Sequence, residues 1–550
     1  MTMTRIMIIG GVAGGMSAAT RLRRLMEDAH IIVVDKGPYV SFANCGLPFH
    51  LSGEISSRDK LLVQSAEGLT NRFGLDVRPE TEALAIDTKS KQVTLKHDGK
   101  VYQESYDQLI LSPGAKPFVP KMEGLAQAKN VCTLRNIPDL DRIMAALADK
   151  DQGMATVIGA GFIGLEMAEA LTKRGFQVTL VEKAPHVLPL DQEMASFIQE
   201  ELRRNGVKVV TGQSAKAFED QGKWIILEDG SRLQSDLTIL SVGVEPETTL
   251  AKEAGLELGL RGGIVVDHNY QTSHKDIYAV GDAIIVKQEL TGQDALISLA
   301  SPANRQGRQV ADVIAGLARK NRGSMGTAIV RVFDLAAAST GLSERLAKQH
   351  FEDVAVVHVR GNDHASYFPG ASPITLKLIF NSKTGALYGA QAVGAKGIDK
   401  RIDVLATAIK AGLTVADLPE LELTYAPPFG SAKDPVNMVG YAAMNVMEGL
   451  SRSIQWYQLQ EELASGKVLL DVRTAQEVAQ APLEGALSIP LDDLRQRMGE
   501  LDQSKSYIVS CYSGLRSYLA ERLLRQAGFD VMNLDGAYAL YRSVYPERFN

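Results

Sequence analysis

The sequence predicts an α/β protein in which one strand–helix–strand unit is inserted into another. Two glycine-rich turns, at residues 10–15 and 159–164, each lie between a short apolar strand and a helix pattern. Two further strand-to-glycine segments, 106–115 and 276–283, flank the second turn and fit the first unit better than the second. We therefore expect two nested units, followed by an α+β region and a small α/β tail.

The first turn has the features of a Rossmann-like, dinucleotide-binding unit. It joins a predicted strand at 5–9 to a predicted helix at 17–26. Gly10 permits the tight turn, Gly15 lets the helix pack on the strand, and the helix N-terminus can bind a pyrophosphate. Asp35 ends the next strand, where its carboxylate can accept a ribose hydroxyl. The candidate cofactor-binding residues here are Gly10, Gly11, Val12 (where a glycine is usual), Ala13, Gly14, Gly15, Asp35 and Lys36.

The second turn keeps all three glycines and indicates a nicotinamide nucleotide. A predicted helix at 165–174 follows it, and a predicted strand at 177–182 ends at Glu182. A carboxylate there accepts the 2′-hydroxyl of NAD and repels the 2′-phosphate of NADP, so NADH is favoured. Lys183 beside it leaves NADPH open. The candidate residues are Gly159, Gly161, Gly164, Glu166, Glu182 and Gly243.

The flanking segments add candidates for a flavin site. The 276–283 segment resembles the flavoprotein segment whose aspartate, here Asp282, binds the ribityl chain of FAD. The 106–115 segment is a strand that enters a glycine turn. The further candidate residues are Asn44, Ser112, Pro113, Gly114, Gly281 and Asp282.

Cys45 is the candidate redox residue. It lies in the run 41–48, ten residues after Asp35, and His50 stands where a Cys-x4-Cys pair would have its second thiol. A lone redox cysteine must cycle through a mixed disulfide, a persulfide or a sulfenic acid. We expect a thiolate here, stabilised by nearby helix dipoles and by an oxidised flavin.

Composition bounds the class of protein. A length of 550 residues predicts three or four domains, and a net charge of −6 argues against nucleic acid as a partner. Three widely spaced cysteines form neither a disulfide framework nor a metal site, so we expect a cytoplasmic protein without a metal. Cys132 lies outside any site motif, and we interpret it as structural. No apolar run in the sequence is long enough to predict a membrane span.

The tail beyond residue 450 carries its own alternating strands and helices. A predicted strand at 507–510 ends at Cys511, and a loop then leads to a predicted helix at 517–526. The loop amides, the helix dipole and Arg516 could hold a thiolate or persulfide anion, which predicts an acidified, nucleophilic Cys511 in an exposed loop.

Residues 1–445 resemble the flavoprotein disulfide reductases, in particular the coenzyme A disulfide reductases and NADH-dependent persulfide reductases. The motifs that carry the resemblance are 10–15, 41–45, 111–115, 400–404 and 424–428. The resemblance implies a homodimer in which Tyr367 and Tyr425 reach the reacting sulfur. It also implies a coenzyme A (CoA) site at Ser17, Arg21, Arg24, Ser41, Asn44 and Lys433, with CoA as substrate or tightly bound ligand.

The tail is similar to a single rhodanese domain. It shares 471–473, Glu477, 485–486, 489–490, 534–536 and the pattern Cys511-x-x-Gly-x-Arg516. It departs from that pattern at Tyr512, where many active rhodaneses carry arginine, and at Ala537. Less positive charge in the loop puts thiosulfate in doubt as a donor and favours a thiol persulfide.

These features predict an FAD-dependent, NAD(P)H-driven reductase of CoA persulfide, CoA disulfide or polysulfide, with a tail that handles sulfane sulfur. The alternatives are an NADH oxidase or peroxidase that uses a Cys45 sulfenic acid, and a non-catalytic sulfur carrier or sensor. The peroxidase histidine expected in the first turn is absent. The predicted domains are 1–115 and 245–320 (FAD), 116–244 (NAD(P)H), 321–450 (α+β dimer interface) and 451–550 (rhodanese-like).

Overall fold

The computed structural model describes residues 3–148 and 152–549. Contacts divide the chain into two compact units. The first comprises residues 1–183 and 206–326, and the second comprises residues 184–205 and 327–550.

The chain up to residue 326 builds two parallel sheets and several short antiparallel ones. Up to residue 117 the elements are β1 (Arg5–Ile9), α1 (Ala13–Leu25), β2 (His30–Val34), α2 (Leu47–Leu51), α3 (Ala66–Phe73), β3 (Asp76–Arg78), β4 (Glu82–Asp87), β5 (Gln92–His97), β6 (Lys100–Ser105), β7 (Gln108–Leu111) and β8 (Ala115–Pro117). Next come β9 (Val131–Cys132), α4 (Ile137–Leu147), β10 (Met154–Ile158), α5 (Phe162–Lys173), β11 (Gln177–Glu182), α6 (Gln192–Arg204), β12 (Lys208–Thr211), β13 (Ala215–Glu219), β14 (Trp224–Leu227), β15 (Arg232–Gln234), β16 (Leu237–Leu240) and β17 (Val244–Pro246). The last are α7 (Thr249–Glu253), β18 (Ile277–Ala279), β19 (Val286–Lys287), β20 (Asp294–Ala295) and α8 (Ala300–Ile314).

The two parallel sheets of the first unit are nested in sequence. One has the strand order β18-β7-β1-β2-β3, and the other has the order β12-β11-β10-β16-β9. All strands of the second sheet lie between β7 and β18 in the chain, which confirms the predicted nested α/β fold. Helix α1 begins at Ala13, whereas the predicted helix begins at residue 17. Glycine disfavours a helix, but Gly14 and Gly15 are helical here, where neighbouring atoms leave no room for a side chain.

The second unit contains an antiparallel sheet with helices and a small parallel sheet. Its elements beyond α6 are β21 (Ala328–Val332), β22 (Leu335–Gly341), α9 (Glu344–His350), β23 (Val354–Asn362), β24 (Pro373–Asn381), β25 (Leu387–Gly394), α10 (Ile398–Ala411) and α11 (Pro435–Met447). The tail adds β26 (Ser453–Ile454), α12 (Leu459–Ala464), β27 (Val468–Asp471), α13 (Ala475–Gln480), β28 (Leu487–Ser488), α14 (Leu491–Arg497), β29 (Ser506–Ser510), α15 (Leu515–Gln526), β30 (Asp530–Leu534) and α16 (Ala537–Val544).

The antiparallel sheet has the order β21-β22-β25-β24-β23, and the tail sheet has the order β26-β30-β29-β27-β28. Helices α10 and α11 pack on the antiparallel sheet. Helix α6 packs against β25 and against α16 of the tail. The predicted boundaries place α6 inside the NAD(P)H domain, whereas its contacts group it with the second unit.

Buried charges join the antiparallel sheet to the tail. Asp191, Glu193 and Glu344 form a carboxylate cluster of the kind that can hold a metal ion. The ammonium of Lys377 occupies the position of such a cation, with Nζ 2.7 Å from Glu344 and 3.0 Å from Asp191. Lys377 is fully buried, so the chain itself supplies a cation to this cluster.

His358 extends the carboxylate cluster to the tail. Its Nδ1 lies 2.7 Å from Oδ2 of Asp535, and its Nε2 lies 3.2 Å from Oε1 of Glu193. Burial lowers the pKa of His358, but the charge of Asp535 and hydrogen bonds to both carboxylates outweigh it and raise the pKa to about 9. The imidazolium is therefore the form that joins the two domains at neutral pH.

None of the helices in the described part of the chain is long and apolar enough to cross a membrane.

Candidate active site

The first glycine turn excludes side chains at two of its glycines. At Gly10, φ is +101°, and an added Cβ would lie 2.0 Å from the carbonyl oxygen of Ser112. At Gly15, an added Cβ would lie 1.8 Å from the carbonyl oxygen of Gly10. Side chains are excluded at both positions, so the N-terminus of α1 can approach a pyrophosphate closely.

Two carboxyl groups that follow strands β2 and β18 offer hydrogen-bond acceptors for FAD. Asp35 accepts hydrogen bonds of 2.8 Å from the N–H groups of Gly11 and Gly37, and burial raises the pKa of its carboxyl. Asp282 follows β18, and burial raises its pKa to about 6. Carboxyl oxygens at these places suit ribose and ribityl hydroxyls, so the residues present fit FAD.

The second turn repeats this arrangement for a second nucleotide. Oε2 of Glu182 accepts a hydrogen bond of 2.7 Å from the N–H of Ala160. A Cβ at Gly161 would meet no protein atom within 4 Å, which leaves open space beside the N-terminus of α5. The residues present therefore fit a nicotinamide dinucleotide, and Lys183 next to Glu182 is exposed.

Replacing Glu182 with alanine is expected to lower the preference for NADH over NADPH, measured as the ratio of kcat/KM values, about tenfold, or ~1.4 kcal/mol. The reason is the loss of an acceptor for the 2′-hydroxyl and of a charge that repels a 2′-phosphate. Glu228→Ala removes an exposed carboxylate from the same unit and serves as the control. An unchanged ratio in Glu182→Ala would contradict the role of this carboxylate.

Cys45 is exposed and lies in a 3-10 turn, Asn44–Gly46, just before α2. Its N–H donates a hydrogen bond of 3.1 Å to Oδ1 of Asn44, and its Sγ lies 3.7 Å from the same oxygen. Desolvation by the surrounding protein, with the charges of Glu166 and Asp282, raises the pKa of the Cys45 thiol.

Desolvation and these charges oppose the expected Cys45 thiolate, which stays a prediction for the enzyme with its flavin bound. The helix that follows, α2, has only five residues, so its dipole is weak. Two carboxylates oppose a negative sulfur. Stabilisation of a thiolate must come from a bound group.

A cleft of about 470 Å³ opens beside Cys45. Among the predicted CoA residues, Ser17, Ser41 and Asn44 line it. Four other polar residues of the cleft wall were not predicted from the sequence: Thr20, Gln64, Arg72 and Asn304. Arg72 lies on α3 and is exposed, so it brings a positive charge that can bind a phosphate. None of the four lies in a recognisable motif, so no local signal could have found them.

The other predicted CoA residues do not line this cleft. The guanidinium of Arg21 donates a 2.7 Å hydrogen bond to Asp312, whose carboxylate is buried, so that charge is already paired. Arg24 is exposed near the end of α1. Lys433 is exposed and belongs to the second unit.

In the second unit, Tyr367 and Tyr425 form a pair. Their hydroxyl oxygens lie 3.1 Å apart, and the hydrogen bond from Tyr425 raises the pKa of Tyr367. Tyr367 is 74% exposed and Tyr425 is 49% exposed. Two adjacent hydroxyls on a solvent-exposed surface can donate a proton to a molecule that binds against them.

The loop of the tail differs from the predicted one in two respects. The sulfur of Cys511 is buried, and the N–H of Gly514 donates a hydrogen bond of 3.1 Å to it. Arg516, which we expected to face the sulfur, interacts electrostatically with Cys511 but also forms two hydrogen bonds of 2.7 Å with Glu477. This pairing lowers the pKa of Glu477 to about 2. The charge of Arg516 is therefore neutralised by Glu477.

Cys132 lies buried in β9, and burial raises the pKa of its thiol. A protonated, inaccessible thiol agrees with a structural role for this residue.

Three family models match the chain. Residues 4–307 match the model described as "Pyridine nucleotide-disulphide oxidoreductase", and residues 327–435 match the dimerisation domain of that family. Residues 455–543 match the rhodanese-like domain. The fold and sites thus define a pyridine-nucleotide-dependent flavoprotein oxidoreductase that carries a rhodanese domain.

The similar proteins agree with this class. A coenzyme A disulfide reductase of Staphylococcus epidermidis is 34% identical over 446 residues, which cover 80% of this chain and 100% of that protein. An NADH oxidase of Methanocaldococcus jannaschii is 32% identical over 444 residues, which cover 80% of this chain and 98% of that protein. The chain therefore belongs to the pyridine nucleotide-disulphide oxidoreductase family, and membership implies FAD and NAD(P)H as cofactors.

Two solved structures also cover the tail. Reduced Bacillus anthracis CoADR-RHD has a TM-score of 0.98 and 49% identity, and the match covers 100% of this chain and 99% of that one. An NAD-dependent persulfide reductase from A. fulgidus has a TM-score of 0.93 and 37% identity, and the match covers 98% of this chain and 100% of that one.

Proposed function

We propose that this enzyme uses NAD(P)H to reduce CoA persulfide, CoA disulfide or polysulfide at Cys45, while its rhodanese domain handles sulfane sulfur. The observation that carries the proposal is a single exposed thiol in a cleft whose wall has both polar and apolar side chains. Cys132 and Cys511 are buried, so neither offers Cys45 a ready partner for an internal disulfide. The names of the similar coenzyme A disulfide reductase and persulfide reductase support the same substrate class.

The cofactors would be held by the two glycine turns. The first turn, with Asp35 and Asp282, would hold FAD, and the second turn, with Glu182, would hold NADH. FAD, when bound beside Cys45, supplies the electron pair that NAD(P)H delivers and stabilises an adjacent thiolate. Glu182 favours NADH over NADPH.

Cys45 provides the nucleophile. For a CoA persulfide, its sulfur attacks the sulfur bonded to carbon, expels hydrosulfide and leaves a mixed disulfide between Cys45 and CoA. For CoA disulfide, the same attack expels one CoA thiolate. Two electrons then release the second thiolate and restore Cys45. Asn44, whose side-chain oxygen lies 3.7 Å from Sγ, orients the thiol before attack.

The cleft wall would orient CoA. Arg72 is the group suited to a CoA phosphate, while the hydroxyls and amides of Ser17, Thr20, Gln64 and Asn304 suit the pantetheine and its amides. Tyr367 and Tyr425 would protonate the departing sulfur from the partner subunit of a homodimer, which the dimerisation domain favours.

An NADH oxidase is the second candidate function. The exposure of Cys45 to solvent and the similar NADH oxidase of Methanocaldococcus jannaschii favour it. In that case a Cys45 sulfenic acid would be the intermediate and oxygen the acceptor.

A side-by-side assay tests the proposal. Under anaerobic conditions, NADH oxidation is measured with CoA disulfide, CoA persulfide and polysulfide, and oxygen uptake is measured separately. We expect kcat/KM for the CoA substrates to exceed that for oxygen by at least about a hundredfold, because the cleft binds CoA and not oxygen. A higher value for oxygen would favour the oxidase instead.

The same assay with Cys511→Ser tests the role of the tail. If the tail only delivers sulfur, the ratio of sulfide release from polysulfide to reduction of CoA persulfide should fall about tenfold in this variant. Equal losses in both activities would place Cys511 on an obligatory path, and an unchanged ratio would assign the tail a structural or regulatory role.

A further inference from the structure

The active loop of the rhodanese domain has little positive charge of its own. Tyr512 occupies the position where many active rhodaneses carry arginine. Arg516 is bound by both oxygens of Glu477. An anionic sulfur donor that approaches Cys511 would therefore find no unpaired cation within the loop.

A cation reaches the loop from another domain. Arg360 lies on β23 of the antiparallel sheet, and its guanidinium carbon lies 5.9 Å from the ring centre of Tyr512. Arg360, Ser513 and Gly536 line one small cavity of about 10 Å³. Within the described residues, the side chain of Arg360 has one hydrogen bond, of 3.3 Å to Oγ1 of Thr375, and no carboxylate partner.

The register of the sheet fixes Arg360 in this place. Arg360 pairs with Thr375 and His358 pairs with Lys377, so the side chains of His358 and Arg360 share one face of the sheet. His358 binds Asp535 of the tail with both its backbone N–H and its Nδ1. Because His358 contacts the tail, Arg360 on the same face of the sheet also lies next to the tail.

The segment that follows Asp535 in the chain is hydrogen-bonded to the active loop. Two residues that follow it donate hydrogen bonds to the loop: the N–H of Tyr538 binds the carbonyl oxygen of Cys511 at 3.0 Å, and the N–H of Ala539 binds that of Tyr512 at 2.9 Å. The position of Arg360 relative to the loop is thus determined by a continuous set of hydrogen bonds.

We propose that Arg360 completes an anion-binding site at the rhodanese loop, so that the tail accepts sulfane donors with an anionic group, of which thiosulfate is the simplest. This inference rests on the proposed role of Cys511 in sulfur transfer. The Cys511 thiolate attacks the outer sulfur of thiosulfate, the S–S bond breaks, and sulfite leaves with the electron pair. A Cys511 persulfide remains, and cyanide removes its outer sulfur as thiocyanate and restores the thiolate.

The test is thiocyanate formation from thiosulfate and cyanide by the full-length holoenzyme. We expect Arg360→Gln to raise KM for thiosulfate about tenfold with kcat within about twofold, because the charge binds the donor and does not take part in bond breaking. High salt should raise KM in the unaltered enzyme and much less in Arg360→Gln. Arg360→Lys should restore most of the affinity. Arg495→Gln, which removes an exposed arginine from the rhodanese domain itself, is the control and should leave KM unchanged.

Two results would overturn the proposal. In the first, the KM for thiosulfate in Arg360→Gln lies within about twofold of that in Arg495→Gln, and only the melting midpoint is lower. Arg360 would then be a packing residue on Tyr512. The other is an unaltered enzyme that forms no thiocyanate from thiosulfate. NADH-dependent reduction of CoA disulfide, measured on the unaltered enzyme, reports separately on the proposed reductase function. FAD content and melting midpoint establish that each variant is folded.

Discussion

Cys45→Ser is expected to lower NADH-dependent reduction of CoA disulfide and CoA persulfide at least about a hundredfold. A serine hydroxyl cannot form the mixed disulfide, and the two remaining cysteines are buried and cannot replace Cys45. The measurement is anaerobic steady-state oxidation of NADH with each CoA substrate. The variant should still bind FAD and accept electrons from NADH, because the nucleotide turns do not include Cys45.

Cys132→Ala is the control for this prediction. It removes a buried thiol from β9 and should leave turnover within about twofold, although it can lower stability slightly. Retention of more than a few per cent of turnover in Cys45→Ser would show that another group carries the chemistry.

Lys377→Met is expected to destabilise the protein by about 3–5 kcal/mol, because it removes the buried ammonium that contacts all three carboxylates of the cluster. The Lys377 ammonium lies between Glu193, Glu344 and Asp191 and is fully buried. The measurement is the urea dependence of unfolding, followed by fluorescence. Lys383→Met removes an exposed lysine that is paired with Asp353 in the loops at the ends of β24 and β23, and it should cost about 1 kcal/mol or less. Equal effects of the two changes would contradict this role of the cluster.

The same variant should weaken the dependence of stability on pH. Burial alone raises the pKa of Glu344, but the charge of Lys377 outweighs it and lowers the pKa from 4.5 to about 2. A carboxyl whose pKa is lower in the folded state stabilises the fold above its unfolded pKa and loses that contribution as the pH falls. The unaltered protein should therefore lose stability between about pH 4.5 and pH 2. In Lys377→Met the charge of Lys377 is lost, while Lys348 and Tyr457 still contact Glu344. The pKa of Glu344 is then lowered less, so the variant should lose less stability than the unaltered protein over this pH range.

The sequence predicted the parts of the fold that depend on local patterns. Strands β1 and β11 have the predicted bounds, because short apolar runs next to glycine turns identify them. The nesting of the two sheets followed from the positions of 106–115 and 276–283. The early start of α1 was not predicted, since glycine propensity argues against a helix and only the close packing of Gly15 allows it.

Contacts between distant residues limited the prediction of the sites. The pairing of Arg21 with Asp312 joins residues 291 positions apart, and no spacing rule detects it. Arg72 and Asn304 line the cleft from two helices that are far apart in the chain. The pKa of the Cys45 thiol depends on Glu166 and Asp282, which the sequence placed among the cofactor residues and not beside the thiol.

The His358–Asp535 pair has a consequence for the evolution of this enzyme. Similar reductases such as that of Staphylococcus epidermidis match only the first four-fifths of the chain over their full length, so a version without the tail is a viable protein. Here, deletion of the tail would remove Asp535 and leave the imidazolium of His358 with Glu193 as its remaining carboxylate. Once the joined proteins had acquired this buried pair, loss of the tail would have required compensating substitutions on the sheet. The tail is thus part of the electrostatic balance of the sheet as well as a separate domain.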